Sequence, residues 1–179
     1  LEDEKVEALK LEILKYVNEW RGVDVILLAD IKEYVLGTYT IPYGKTGDKI
    51  NVPLWIARRL IEKRLATVNI EEITNWINRI YWREKVQKTS PYTISRIPDD
   101  FYAKAKLVLF MINKGYIEDE SDIKKKILEI FNKRKNAIHF LSELKESELI
   151  DRLSEEEKIL LSIYRKVGDV WKDFWGVSK

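Results

Sequence analysis

Catalysis needs reactive side chains at defined spacing, and this chain of 179 residues offers few. His139 is the one histidine, and cysteine is absent. That excludes disulfides, thiolate zinc sites and cysteine nucleophiles. His139 lies between Ile138 and Phe140 with no second imidazole to share a metal, so it reads as a partly buried helix histidine. A Ser-His-Asp arrangement would have to use it, and no strained Gly-x-Ser-x-Gly turn is present. Gly44-Lys45-Thr46-Gly47 lacks the spacing of a phosphate-cradling loop and reads as a tight turn. Carboxylates cluster at Asp99-Asp100 and at Glu118-Asp119-Glu120 with Asp122. Both clusters open predicted helices, where acidic side chains offset the helix dipole by ~0.3–1 kcal/mol each. No acid-x-Lys of nuclease spacing follows Pro98-Asp99. The sequence therefore predicts a non-enzyme with no metal and no cofactor.

Charge is heavy but balanced, 32 basic against 30 acidic residues, for a net +2. Bulk charge thus argues neither for nor against nucleic acid. The basic candidates are Arg79 and Arg83 with Lys85 and Lys88 on one segment, then Lys124, Lys125, Lys126, Lys133, Arg134 and Lys135 on another. Three consecutive lysines point three ways around a helix, so a solvated face explains them, and DNA contact is expected to be weak and salt-sensitive at most. No apolar run approaches the ~20 residues needed to span a bilayer. The N-terminus is acidic and amphipathic, unlike a signal peptide, so no membrane is expected. Gln87 and Met111 are the only glutamine and methionine. With abundant Lys, Glu and Ile, this composition fits a thermophile.

These side chains must be held by something, and 45% apolar residues suffice for a core. Val6, Leu9, Ile13, Tyr16 and Trp20 recur at 3-4-3-4 spacing and predict a helix over 3–20. Segments 23–29 and 34–41 read as strands. Pro42 to Asp48 is the strongest turn signal, and 49–52 reads as a third strand returning from it as a hairpin. Pro53 suits the first turn of a helix over 54–64, and 66–68 reads as a brief strand or connector. Beyond this the pattern is helical: Ile73, Trp76, Ile77, Ile80 and Tyr81 form a stripe, Leu107 to Ile112 is nearly all apolar, and Leu160, Ile163, Tyr164, Val167, Trp171 and Phe174 share a last face. The fold class read from this is mainly α. A small strand-containing N-terminal domain with a leading helix occupies 1–68, and a helical-bundle assembly domain occupies 69–179. A winged-helix-like DNA-binding module is the competing reading, since a hairpin beside helices can form a wing.

The helical part carries more aromatic residues than a short bundle needs. Tyr81-Trp82 and Phe101-Tyr102 are adjacent pairs, and helix neighbours point ~100° apart, so one of each pair leaves the local core. Trp171 and Trp175 stack at i, i+4. Wide apolar faces on a short bundle imply burial against another chain, and Trp and Tyr are favoured at interface centres. The candidate anchors are Trp76, Trp82, Tyr102, Trp171 and Trp175.

Val52-Pro53-Leu54-Trp55-Ile56-Ala57 resembles the Val-Pro-Leu-Trp-Leu-Ala segment of the GINS replication family. Further matches follow in order: Pro98-Asp99-Asp100-Phe101-Tyr102, Leu107-Val108-Leu109, the helix from Ile123 to Arg134, and Leu153-Ser154-Glu155-Glu156-Glu157. The chain is most similar to the archaeal two-three type and to the eukaryotic Psf subunits called Two and Three, over roughly 24–175. The leading helix 3–20 departs from the family pattern. The resemblance implies a non-catalytic scaffold in DNA replication: a heterotetramer with a paralogous GINS subunit, two of each, bridging the MCM helicase and a RecJ-like, Cdc-type protein. It also implies a cytoplasmic, chromosome-associated location.

Overall fold

The computed structural model describes residues 2–86, 94–117, 120–144 and 148–177. Helix α1 (Glu2–Glu19) leads into strand β1 (Gly22–Leu27), the short strands β2 (Tyr34–Leu36) and β3 (Tyr39–Ile41), and β4 (Lys49–Pro53). Helix α2 (Leu54–Glu62), strand β5 (Ala66–Thr67) and helices α3 (Ile70–Val86), α4 (Phe101–Asn113), α5 (Glu120–Ser142) and α6 (Glu155–Phe174) follow, with a 3-10 turn at Glu148–Arg152. The fold is mainly α, with two small antiparallel sheets in its N-terminal part.

Two compact units make up the chain: one takes 1–14, 77–99 and 125–179, the other 15–76 and 100–124. In the second unit β1 is the middle strand, ordered β4-β1-β5. Its inward row, Val23, Val25 and Leu27, is buried, as period-two alternation demands. The expected hairpin from 34–41 into 49–52 is not formed. Instead β4 pairs with β1, setting Val52 opposite Val23 and Ile50 opposite Val25. That register matches one apolar row to another. Segment 34–41, expected as one strand, folds on itself as β2–β3. Gly37, at φ +61°, makes the turn with Thr38, a conformation a two-residue hairpin loop demands of its first central residue. The turn before β4 is pinned by Asp30, whose carboxylate accepts from the backbone N–H and hydroxyl of Thr46. Those bonds hold Asp30 below the usual carboxylate range. Gly44 packs so tightly that an added Cβ would lie 2.5 Å from Leu27 Cδ1. This backbone is a structural corner.

The Val52–Ala57 segment is a strand-to-helix corner. Val52, Leu54, Ile56 and Ala57 are all buried, and the Leu54 N–H donates to the Arg21 carbonyl. Helix α4 packs on α2, burying Phe101, Leu107, Val108, Met111 and Ile112, as its unbroken apolar run predicts. Asp100, before α4, pairs with Lys104 at 2.6 Å, and Asp99 with Arg96 at 3.3 Å.

In the first unit, Ile94, Ile138, Leu141, Leu153 and Leu161 form a cluster flanked by Leu149, Ile150, Leu160 and Tyr164. Helix α6 opens on a capping box. Ser154 accepts from the Glu157 backbone N–H while the Glu157 carboxylate accepts from the Ser154 N–H. The two prolines at 91 and 98 mark a loop over 89–98 in the sequence; residues 94–98 are irregular, and 89–93 lie outside the described residues.

Candidate protein-binding surface

The last two and a half turns of α6 outrun the core that its earlier turns pack on. Leu161 is buried, and Leu160, Ile163 and Tyr164 are half-buried. From Val167 onward the same apolar face meets solvent: Val167, Val170, Trp171, Phe174, Trp175 and Val177 are between 62% and 74% exposed. The helical part of this face, from Val167 to Phe174, is about 10 Å long at 1.5 Å per residue, and Trp175 and Val177 continue it past the helix end. Its rings support one another. Trp171 stacks on Phe174 at 6.3 Å and 20°, and Trp175 sets its edge to both at 5.7 and 5.2 Å. Lys172 and Asp173 lie beside the ridge and supply a polar rim. Contiguous exposed apolar side chains of this kind mark contact surfaces.

The five aromatic anchors divide. Trp171 and Trp175 belong to this ridge, and Trp82 is also exposed, at 55%. Trp76 and Tyr102 are half-buried in the other unit, both against Phe101, at 5.7 and 5.2 Å. Lys104 covers the Trp76 ring at 5.1 Å. Those two rings are occupied within the fold. The sequence pattern puts Val167 and Phe174 on the last helix's apolar face without naming them as anchors, and does not single out Val170 or Val177. The 3.6-residue period shows which face is apolar, not where its cover ends.

A second exposed stripe lies on α1, where Val6, Leu9, Ile13, Tyr16, Val17 and Trp20 are all exposed. Its C-terminal end is anchored. Glu19 pairs with Arg58 and with Lys106, and Trp20 sets its ring edgewise to Trp55 and Tyr39, at 5.8 and 6.1 Å.

The basic candidates scatter. Arg79, Arg83, Lys124, Lys125 and Lys135 are exposed, and Lys126 and Lys133 half-buried. Lys126 donates to the Asn78 side chain at 2.8 Å. Lys88 lies outside the described residues. Arg134 must be struck from any nucleic-acid surface. It is 1% exposed, and its fork grips Glu157 and reaches the Ser95 carbonyl. Burial and pairing, invisible in a Lys-Arg-Lys run, explain the difference. His139 is exposed and meets the Tyr164 ring edge-on at 5.1 Å. Among the described residues no cluster of metal-ligating side chains occurs, and no helix is long and apolar enough to cross a membrane.

No family model matches the chain, and no curated protein matches it in sequence.

Proposed function

We propose that this chain is a non-catalytic assembly subunit that docks a partner protein on the apolar ridge of α6. The observation that carries the reading is the ridge itself: six contiguous apolar side chains, three of them interlocked aromatics, all more than 60% exposed. An aromatic cluster with a polar rim has the make-up of an interface centre. The ordered resemblance to GINS gives the partner its character, a paralogous subunit of a two-plus-two heterotetramer that serves the MCM helicase and a RecJ-like protein during replication.

Its test is recovery of the chain from its own cells with its partners attached. The expected result is a paralogous chain in equal amount, and a coexpressed pair more stable than this chain alone. A stable monomer that brings down no partner removes the reading, and so does nuclease or ATPase activity of the purified chain.

A further inference from the structure

Trp82 is the one exposed anchor that the α6 ridge does not absorb, and its surroundings differ in kind. Helix α3 turns Ile77, Ile80, Tyr81 and Glu84 inward. Arg79, Trp82, Arg83 and Val86 stand at i, i+3, i+4 and i+7, so they share the opposite face, and all four are exposed. The Tyr81 ring meets the indole edge-on, at 5.5 Å and 70°, and Lys85 Nζ lies 5.1 Å from its centroid. Arg83 Nη2 donates to the Arg96 carbonyl at 2.9 Å, which brings the exposed Arg96 alongside. Three carboxylates of this region are engaged: Glu129 accepts from the Tyr81 hydroxyl at 2.8 Å, Glu84 accepts from the Ser95 hydroxyl, and Asp99 pairs with Arg96.

We propose that Trp82 is a stacking platform for single-stranded nucleic acid, with Arg79, Arg83, Lys85 and Arg96 taking the flanking phosphates. Lys85 lies over this ring as Lys104 lies over Trp76, but Trp82 is 55% exposed, and the indole surface left in solvent can stack an unstacked base, while cations spaced around it suit a strand that alternates base and phosphate. A protein partner matches less well. The α6 ridge surrounds its rings with apolar side chains, whereas Trp82 has Arg79, Arg83 and Lys85 within one turn on its own helix, Lys85 over its ring. A duplex matches less well too, because its bases present edges and keep their faces stacked.

The experiment uses the full chain and fluorescence anisotropy with a labelled oligothymidine of about 20 nucleotides, a length ample for one platform. A blunt duplex and heparin, a polyanion without bases, serve as comparisons. Wild type should prefer the single strand, and Trp82→Ala should weaken that binding by about fivefold to a hundredfold, the worth of one stacked base. Trp82→Phe should keep most of the affinity, and heparin binding should be the same for all three chains. Arg79→Ala should flatten the salt dependence by about 0.7 on a log–log plot. Three results would overturn the proposal. The single strand binds no better than duplex; Trp82→Ala leaves its affinity unchanged; or Trp82→Ala lowers heparin binding equally, which marks a general anion patch. Loss of partner assembly in Trp82→Ala with oligothymidine binding intact would also overturn it and make the residue a protein anchor.

Discussion

Arg134 on α5 and Glu157 on α6 meet as a two-pronged ion pair, Nε to Oε1 at 2.7 Å and Nη2 to Oε2 at 2.6 Å, with both side chains 1% exposed. The third prong, Nη1, donates to the Ser95 carbonyl at 2.5 Å and stands 3.6 Å from Glu84 Oε1. The Ser95 hydroxyl donates to that same Glu84 oxygen. One guanidinium thus ties α3, α5, α6 and the loop before α4 into one core, and Glu157 also closes the α6 capping box.

Replacing Arg134 should therefore act on folding and not on a surface. Arg134→Met strands two buried carboxylates and should cost about 3–5 kcal/mol in urea unfolding. Arg134→Lys should recover little, since an ammonium cannot reproduce the fork. Adding Glu157→Leu and Glu84→Leu to Arg134→Met should restore part of the stability by removing the stranded charges, the remainder being lost with the capping-box acceptor of the Ser154 N–H. Loss of nucleic-acid binding in Arg134→Met without loss of stability would contradict this.

What the sequence makes legible follows from what pattern encodes. Helix α3 is readable because Ile73, Ile77, Ile80 and Tyr81 keep one period. The corner at Val52–Ala57 is readable because an apolar strand meets a proline and then a helical stripe. Two kinds of information have no such period. Arg134 looks identical to Lys133 and Lys135 in a run of bases, and its burial depends on Glu157, 23 residues away. The pairing of β4 with β1, 23 or more residues back, likewise depends on which apolar row is free. The candidate anchors divide for the same reason. Trp76 and Trp171 both lie on apolar helix faces, and only Trp76 has a Phe101 to meet.

The β1–β4 pair carries a pH dependence. Asp24 and Asn51 face each other across the strands. The Asn51 amide donates to the Asp24 carboxylate at 2.7 Å and holds it below the usual carboxylate range; partial burial opposes this and Lys49 adds to it. A depressed folded value means the stabilisation is full above the unfolded value, ~3.9, and is lost as pH falls through the folded one. The urea midpoint should fall below about pH 4 for wild type, and Asp24→Asn should remove part of that slope while lowering stability at pH 7. Identical slopes for the two chains would show that Asp24 contributes nothing.

Glu19 ties the end of α1 to α2 and α4 through Arg58 and Lys106. Glu19→Ala leaves two cations facing one another and should cost about 1–2 kcal/mol, less than a fully buried pair because Lys106 is partly exposed. Hydrogen exchange should quicken near Trp20 and Trp55 and remain unchanged around Ile138 and Leu161. Uniform acceleration throughout the chain would mean that Glu19 supports the whole fold and not this corner alone.

The α6 ridge gives the most direct separation of folding from assembly. Trp171→Ala and Phe174→Ala remove side chains that are already in water, so circular dichroism and the urea midpoint of the lone chain should shift by about 0.5 kcal/mol or less. Both changes should loosen the complex, by about 2 kcal/mol or more if the residue lies at the interface centre, or roughly thirtyfold in affinity. The control lies a few turns back on the same helix. Leu161 belongs to the core cluster, so Leu161→Ala should cost about 2–5 kcal/mol and unfold a marginal chain before any partner is added. Solubility supplies a second readout. Trp171→Lys with Phe174→Lys should make the lone chain less prone to self-association, because the exposed apolar patch shrinks. If the lysine pair leaves self-association unchanged and the complex forms at full affinity, the ridge is not the docking surface.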